Sequence, residues 1–390
     1  MRLLGRPSRR LVNVTTLQTP LLDRHHAADA TIVDFAGWDM PLRYSSDVAE
    51  HHAVRERAGL FDLSHMGEVM VTGPDAATAL DYALVGHMSQ MPLGAAKYTM
   101  MCAPDGGVID DVVVYRRDWE HFMVVANASN REVVVQELRA RIHAAGLDAA
   151  VADETAAIAL IAVQGPASCE IVSDMCELGA EDPPALKYYK ATHVVLHGGI
   201  HAFVARTGYT GEDGFELFVP VDVAGEVWDL ALERGESRGI QLCGLAARDS
   251  LRLEAGMPLY GNELSPDVTP FEAGLGRIVN FGRADGPARG DFVGRTALEE
   301  RKAAGSETTL VGLRGEGRRA ARAGYDVVSE DGAVVGTVTS GVPSPTLGYP
   351  VAMAYVATEV SEPGTALAAD VRGRQEPMTV VALPLYRRGA

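Results

Sequence analysis

The chain has 390 residues, enough for two or three domains, and 47 % of them are apolar, enough to bury a sizeable core. Its 35 Lys and Arg against 52 Asp and Glu leave a net charge of −17, which disfavours nucleic acid and anionic lipid as general partners and points to a small molecule or a protein. No apolar run approaches the roughly 18 residues of a membrane span, and Cys102, Cys169, Cys176 and Cys243 form no C-x-x-C pair, so a reducing, cytoplasmic compartment is expected, or the mitochondrial matrix in a eukaryote.

The first 22 residues carry Arg2, Arg6, Arg9 and Arg10 and no acid before Asp23. The pattern fits a disordered tail or an organelle transit segment, and its shortness and scarcity of serine favour the tail. Asp47 followed by Glu50 has the spacing of a helix capping box, with Gly59 as the stop. An internal repeat follows: Val71-Thr72-Gly73-Pro74-Asp75-Ala76 recurs as Val163-Gln164-Gly165-Pro166-Ala167-Ser168. Each copy ends an apolar strand pattern (68–71; 158–163) and opens a helical one, Gly breaking the strand and Pro suiting the first helical turn. In the first unit a hairpin runs 108–115 and turns at 116–118, then strand 122–125 leads through Ser129-Asn130 as cap into a helix over 131–142. In the second, a turn at 208–214 precedes strand 215–219, and Asp222 introduces a helix over 223–232. Each unit reads strand, helix, hairpin, helix, which predicts an α+β chain built on duplicated ferredoxin-like units.

Beyond residue 290 a helix (295–303) gives way to short strands at 309–313, 325–329, 333–339, 352–356 and 378–381, with Asp331-Gly332 as a tight hairpin. That spacing predicts a small barrel or sandwich. The expected division is a tail at 1–16, two interleaved α+β lobes at 17–289 and a C-terminal β-barrel domain at 290–390.

Several residues could carry chemistry. Asp110-Asp111 interrupts an apolar strand, and alternation sends the two side chains to opposite faces. Either one carboxylate lines a cleft and is used there, or Asp110 is solvated and Asp111 caps a turn. Glu216 poses the same question between Phe215 and Leu217. Arg248, opening a helix at 248–255, could neutralise Glu216, bind an anionic group or form a surface pair. Tyr98, Tyr188, Tyr189, Tyr209 and Tyr386 are candidates for stacking on a flat heterocycle or for ordinary packing. Adjacent His51 and His52 diverge on a helix, so no metal is expected. The 208–214 loop lacks the Gly-Lys-Ser/Thr ending of a phosphate loop.

At these residues the chain resembles the aminomethyltransferase (T-protein) family of the glycine cleavage system. The resemblance runs from about 17 to 387 and rests on Asp34-Phe35-Ala36-Gly37-Trp38-Asp39-Met40-Pro41, Asp62-Leu63-Ser64-His65-Met66-Gly67-Glu68, Gly106-Gly107-Val108-Ile109-Asp110-Asp111, Arg206-Thr207-Gly208-Tyr209-Thr210-Gly211-Glu212-Asp213-Gly214-Phe215-Glu216, Ala247-Arg248-Asp249 and Thr339-Ser340-Gly341-Val342-Pro343. It implies a three-lobed cloverleaf around a folate channel. It implies transfer of a one-carbon unit from the aminomethyl-lipoyl arm of an H-protein to tetrahydrofolate, releasing ammonia and giving 5,10-methylenetetrahydrofolate. By the same resemblance Asp111 matches the catalytic acid. Glu216 and Arg248 match pterin-end residues, and Met66, Tyr98, Asn127, Tyr189 and Tyr209 match the channel lining. Tyr386 matches a C-terminal tyrosine at the ligand. Arg314, Arg318, Arg319 and Arg322 form a basic cluster that suits an acidic H-protein, the folate glutamyl tail or plain solvation. Asn262 stands where relatives often have histidine. Rival readings are another tetrahydrofolate-dependent transferase or demethylase of the superfamily, and a non-catalytic folate-binding factor for iron–sulfur assembly, whose Lys-Gly-Cys-Tyr motif is absent here.

Overall fold

The computed structural model describes residues 16–177, 185–282 and 289–389, so the N-terminal arginines lie outside the described residues. β1 (Leu17–Gln18), β2 (Thr31–Phe35) and β3 (Trp38–Arg43) form a small sheet in the order β1-β3-β2. The helix Asp47–Glu56 follows, then β4 (Ala58–Asp62). The expected capping box is not made. Ser46 is the N-cap residue without a side-chain cap bond, and Glu50 instead accepts the backbone N–H groups of Tyr44, Ser45 and Gly244. Gly59 lies inside β4 rather than ending the helix.

The first repeat contains β5 (Gly67–Thr72), the helix Ala76–Ala83, β6 (Ala96–Cys102), β7 (Val108–Arg116), β8 (His121–Ala126), the helix Arg131–Ala145 and β9 (Ala150–Asp153). The second contains β10 (Ile158–Gln164), the helix Ser168–Met175, β11 (Ala191–Leu196), β12 (Ile200–Ala205), β13 (Gly214–Pro220), the helix Ala224–Gly235 and β14 (Ile240–Leu242). Their sheets run β6-β7-β8-β5-β9 and β11-β12-β13-β10-β4-β14, so four strands correspond in order. At the fifth position the copies part: β4, from before the first repeat, enters the second sheet between β10 and β14.

Alternation builds the layers. Ile161 and Val163 of β10 pack on the second unit's helices, while Leu160 and Ala162 pack towards the other sheet. Val112 and Val114 of β7 face the first unit's helices, whereas Val113 and Tyr115 meet Phe203 and Phe218 of the second unit. The result is helices, sheet, sheet, helices, with a shared core between the two sheets. The helix Leu245–Glu254 adds Ala247 and Leu251 to that core.

The C-terminal region closes into a barrel of β15 (Thr308–Gly315), β16 (Asp326–Val328), β17 (Val334–Pro343), β18 (Pro350–Ala357), β19 (Ala366–Asp370) and β20 (Gln375–Val381), in the order β15-β18-β17-β16-β19-β20. The helix Arg295–Ala304 packs Leu298 against Val85, Cys102 and Val108 of the first unit, so it belongs with that unit by contact and not with the barrel.

Candidate functional site

β7 pairs with β6 along its length but with β8 only from Val113 onward. Its first residues therefore project past the end of β8, where the chain turns through 127–130 into the helix Arg131–Ala145. The start of β7 is also held by the 265–268 loop: Val108 N–H reaches the carbonyls of Ser265 and Val268. A Cβ on Gly107 would stand 1.9 Å from the Pro266 carbonyl oxygen, so only glycine permits this approach.

Asp111 lies on the same face of β7 as Val113 and Tyr115 and points between the two sheets. Its Oδ2 accepts the Tyr98 hydroxyl at 2.9 Å and its Oδ1 accepts the Asn127 amide at 2.8 Å. Burial raises its carboxyl, the hydrogen bonds from Tyr98 and Asn127 pull it down, and Glu263 adds to the rise, leaving it at about 6. Asp110 is fully buried, not solvated, and it is the residue that caps the turn. It accepts the Asn127 backbone N–H at 3.1 Å, the Asn127 amide at 2.9 Å and the Asn130 amide at 2.8 Å. Burial and the neighbouring Asp111 push Asp110 up to about 7 against those donors. The expected separation of the doublet to two faces holds for exposure, but both carboxyls end on the Asn127 amide.

Glu216, on β13, faces β7 across the same gap. Its Oε2 accepts the hydroxyls of Tyr115, at 3.0 Å, and Thr207. Its Oε1 accepts no hydrogen bond from the described residues. Thr207 is presented by a loop wrapped on Gln164, whose amide donates to the Thr207 carbonyl at 3.1 Å. Any Cβ on Gly208 or Gly214 would collide with that amide, which accounts for these two glycines of the loop. Tyr189 stands between the acids: after burial and Tyr188, both Glu216 and Asp111 raise its phenol.

Arg248 does not pair with Glu216. Its guanidinium lies 4.6 Å over the Tyr209 ring and makes no ion pair among the described residues, so burial lowers it. The Tyr209 hydroxyl donates to the Pro258 carbonyl. Tyr209 and Arg248 also line a cleft of about 580 Å³ between the N-terminal sheet, the helix Leu245–Glu254 and the barrel, with Phe35, Arg252, Asn262 and Arg322. Asn262 donates its amide to Ser340 of the barrel at 3.0 Å.

Met66 is half-buried against the core between the sheets. Tyr386 is set apart from the acid pair by its contacts: its hydroxyl donates to Glu212 at 2.7 Å and its ring lies under Arg55. Tyr188 remains 58 % exposed. Arg314, Arg318, Arg319 and Arg322 are all exposed on the barrel side; Arg314 covers Tyr349, and Arg319 lies 3.9 Å from Glu376. His51 is committed to a buried network with Ser250, Thr346 and Glu254.

Sequence reasoning missed Tyr115, Thr207, Asn130 as a side-chain ligand of Asp110, and the buried Arg252–Glu263 pair at 2.7 Å. Tyr115 was within reach, being four residues from Asp111 on one strand face. Glu263 gives no local signal, since its partner comes from another element.

Two family models cover most of the chain: the GCVT N-terminal domain over residues 21–283 and the glycine cleavage T-protein C-terminal barrel domain over 309–387. An aminomethyltransferase of Streptomyces coelicolor is 54 % identical over 96 % of this chain and 99 % of its own length. One from Cutibacterium acnes is 51 % identical over 96 % and 100 %. The crystal structure of the glycine cleavage system aminomethyltransferase T from Bartonella henselae superposes with a TM-score of 0.86 at 35 % identity, over 95 % of this chain and 98 % of that one. These matches, over nearly the whole chain, define a group-transfer enzyme. The chain belongs to the glycine cleavage T-protein family and is an aminomethyltransferase of that system.

Proposed function

We propose that the acceptor is tetrahydrofolate, bound between the two sheets, and that the donor is the aminomethyl-lipoyl arm of an H-protein. The observation that carries the reading is the pair of opposed carboxyls, Asp111 and Glu216, each held by protein donors while Glu216 keeps one oxygen uncommitted. A reduced pterin has an edge of N–H donors that Glu216 can accept, and its flat rings suit Tyr98, Tyr189 and Tyr209, with Met66 and Asn127 completing the lining. Arg248, in no ion pair among the described residues, supplies a cation at that end.

The reaction makes two C–N bonds, to N5 and N10 of the folate, and breaks the C–S and C–N bonds of the aminomethyl group. The protons lost at N5 and N10 are those gained by sulfur and by the departing ammonia. A carboxyl near 6 can hold and return such protons near neutral pH, and as a carboxylate it stabilises an iminium-like carbon. Binding supplies the proximity. Arg322 shares the cleft with Arg248 and Arg252, which supports a role for it at the glutamyl tail; Arg314, Arg318 and Arg319 suit an acidic H-protein surface. We place the enzyme in the cytoplasm. Tyr386 is assigned to the ligand by family resemblance alone.

The test is ammonia release from aminomethyl-loaded H-protein, with and without tetrahydrofolate. Release is expected to require the folate for its full rate, and Asp111→Asn is expected to lower that rate by about 10²–10⁴-fold with folate still bound. A near-wild-type Asp111→Asn enzyme would remove Asp111 from this role.

A further inference from the structure

We propose that Asp110 is a positioning residue, which fixes Asn127 at its backbone and its side chain so that the Asn127 amide always turns its N–H groups to Asp111. The inference deepens the proposed function and rests on Asp111 being the working acid.

The geometry is specific. The Asn127 amide nitrogen faces three oxygens: Asp110 Oδ1 at 2.9 Å, Asp111 Oδ1 at 2.8 Å and the Asp111 carbonyl at 3.1 Å. Rotating the amide would set its own oxygen against all three, so the orientation is determined by acceptors alone. Asp110 adds a second hold, accepting the Asn127 backbone N–H at 3.1 Å, and its Oδ1 also accepts the Asn130 amide at 2.8 Å. A fully buried carboxyl receiving three donors at the exact turn that carries Asn127 has no exposed surface through which to touch a ligand. It reaches Asp111 through Asn127 and through its own charge, and because burial pushes it up to about 7 that charge is small near pH 6, where the route through Asn127 dominates. The remaining ionisable groups around the pair are the phenols of Tyr98, Tyr189, Tyr209 and Tyr260 and the carboxyl of Glu263, the last paired with Arg252.

Asp110→Asn puts an N–H₂ where at least one donor now points, so either the backbone or the side-chain hold on Asn127 is lost and its amide is no longer fixed. Asp111 then loses a hydrogen bond that favours its ionised form, and its ionisation moves to higher pH. Asn127→Ala removes the same bond directly. Both variants are expected to raise the acid-side midpoint of kcat against pH by about half a unit to one unit and to lower kcat near pH 6 by about two- to fivefold; the Asp110 variant, whose side chain meets no ligand, is expected to leave KM for tetrahydrofolate within about twofold. The double variant should do no more than the worse single one, because the two residues act through one bond. Asp110→Ser is the second variant should the amide fail to fold, and the same rise is required of it. A lowered melting temperature with an unmoved midpoint would overturn the proposal, as would losses that multiply in the double variant. Asp111→Asn run alongside separates the cases: if it retains activity, the reading of Asp111 fails; if it is inactive while the Asp110 midpoints stay put, only this inference fails.

Discussion

Glu216 shows how one carboxylate oxygen can be held while the other stays uncommitted among the described residues. Tyr115, from the other sheet, and Thr207, from the glycine loop, both donate to Oε2, which leaves Oε1 without a hydrogen bond from the described residues. Thr207 is buried, so Thr207→Val keeps the shape but deletes a hydrogen bond to a charged group, a loss of about 1.5–3 kcal/mol. Tetrahydrofolate affinity is therefore expected to fall by about tenfold or more, measured by titration calorimetry. An unchanged affinity would mean that Glu216 does not meet the folate or that Tyr115 alone suffices to hold it. Asp111 and Glu216 could be picked out of the sequence because each is an acid inside an apolar strand, where an unused carboxylate is costly. Asn130 does stand at the N-cap of the helix Arg131–Ala145, but its side chain makes no cap bond and donates instead to Asp110 on β7, a pairing that no local pattern records.

At the scale of elements, the helix Leu245–Glu254 joins the lobes. Glu254, at its last turn, is buried and accepts Arg55 at 2.8 Å, His51 at 3.2 Å, the Thr346 backbone N–H at 3.1 Å and the Ser344 hydroxyl, the last two from a barrel loop. Burial opposes its ionised form, but the bonds from His51, Ser344 and Arg55 outweigh it and lower the carboxyl from 4.5 to about 2. Because the folded value lies below the unfolded one, the stabilisation is complete above about pH 4.5 and disappears as pH falls towards 2. Its size is of order 3 kcal/mol. The urea midpoint is expected to drop between pH 6 and pH 3, and Glu254→Gln should flatten that drop; an equal drop in the variant would place the acid sensitivity elsewhere. β7, β10 and β13 were legible as apolar runs bounded by turn or Gly-Pro signals. β4 was not, because Ala58–Asp62 is short and its Gly59 reads as the stop of the preceding helix. β19 was missed because alanines on both of its faces blur the pattern.

The whole molecule carries a net charge of −17, yet its barrel side exposes Arg314, Arg318, Arg319 and Arg322. A local positive patch on an acidic body steers an acidic partner to one place and repels it from the rest. Changing Arg318 and Arg319 to Glu is expected to weaken H-protein binding and to flatten its dependence on salt, followed as Kd from low to moderate ionic strength. An unaltered salt slope would leave these arginines as solvated surface.

The placement of β4 bears on how such a chain can be assembled. The second repeat looks self-sufficient in sequence, but its sheet takes a strand from residues emitted before the first repeat began. On a ribosome, Ala58–Asp62 must wait without its lateral neighbours until Ile158–Gln164 and Ile240–Leu242 emerge, while β5 to β9 can already close beside it. A gene bisected between the repeats would thus yield one half lacking an interior strand and another left holding it, so that ancestral duplication, though still visible, no longer marks a place where the polypeptide comes apart.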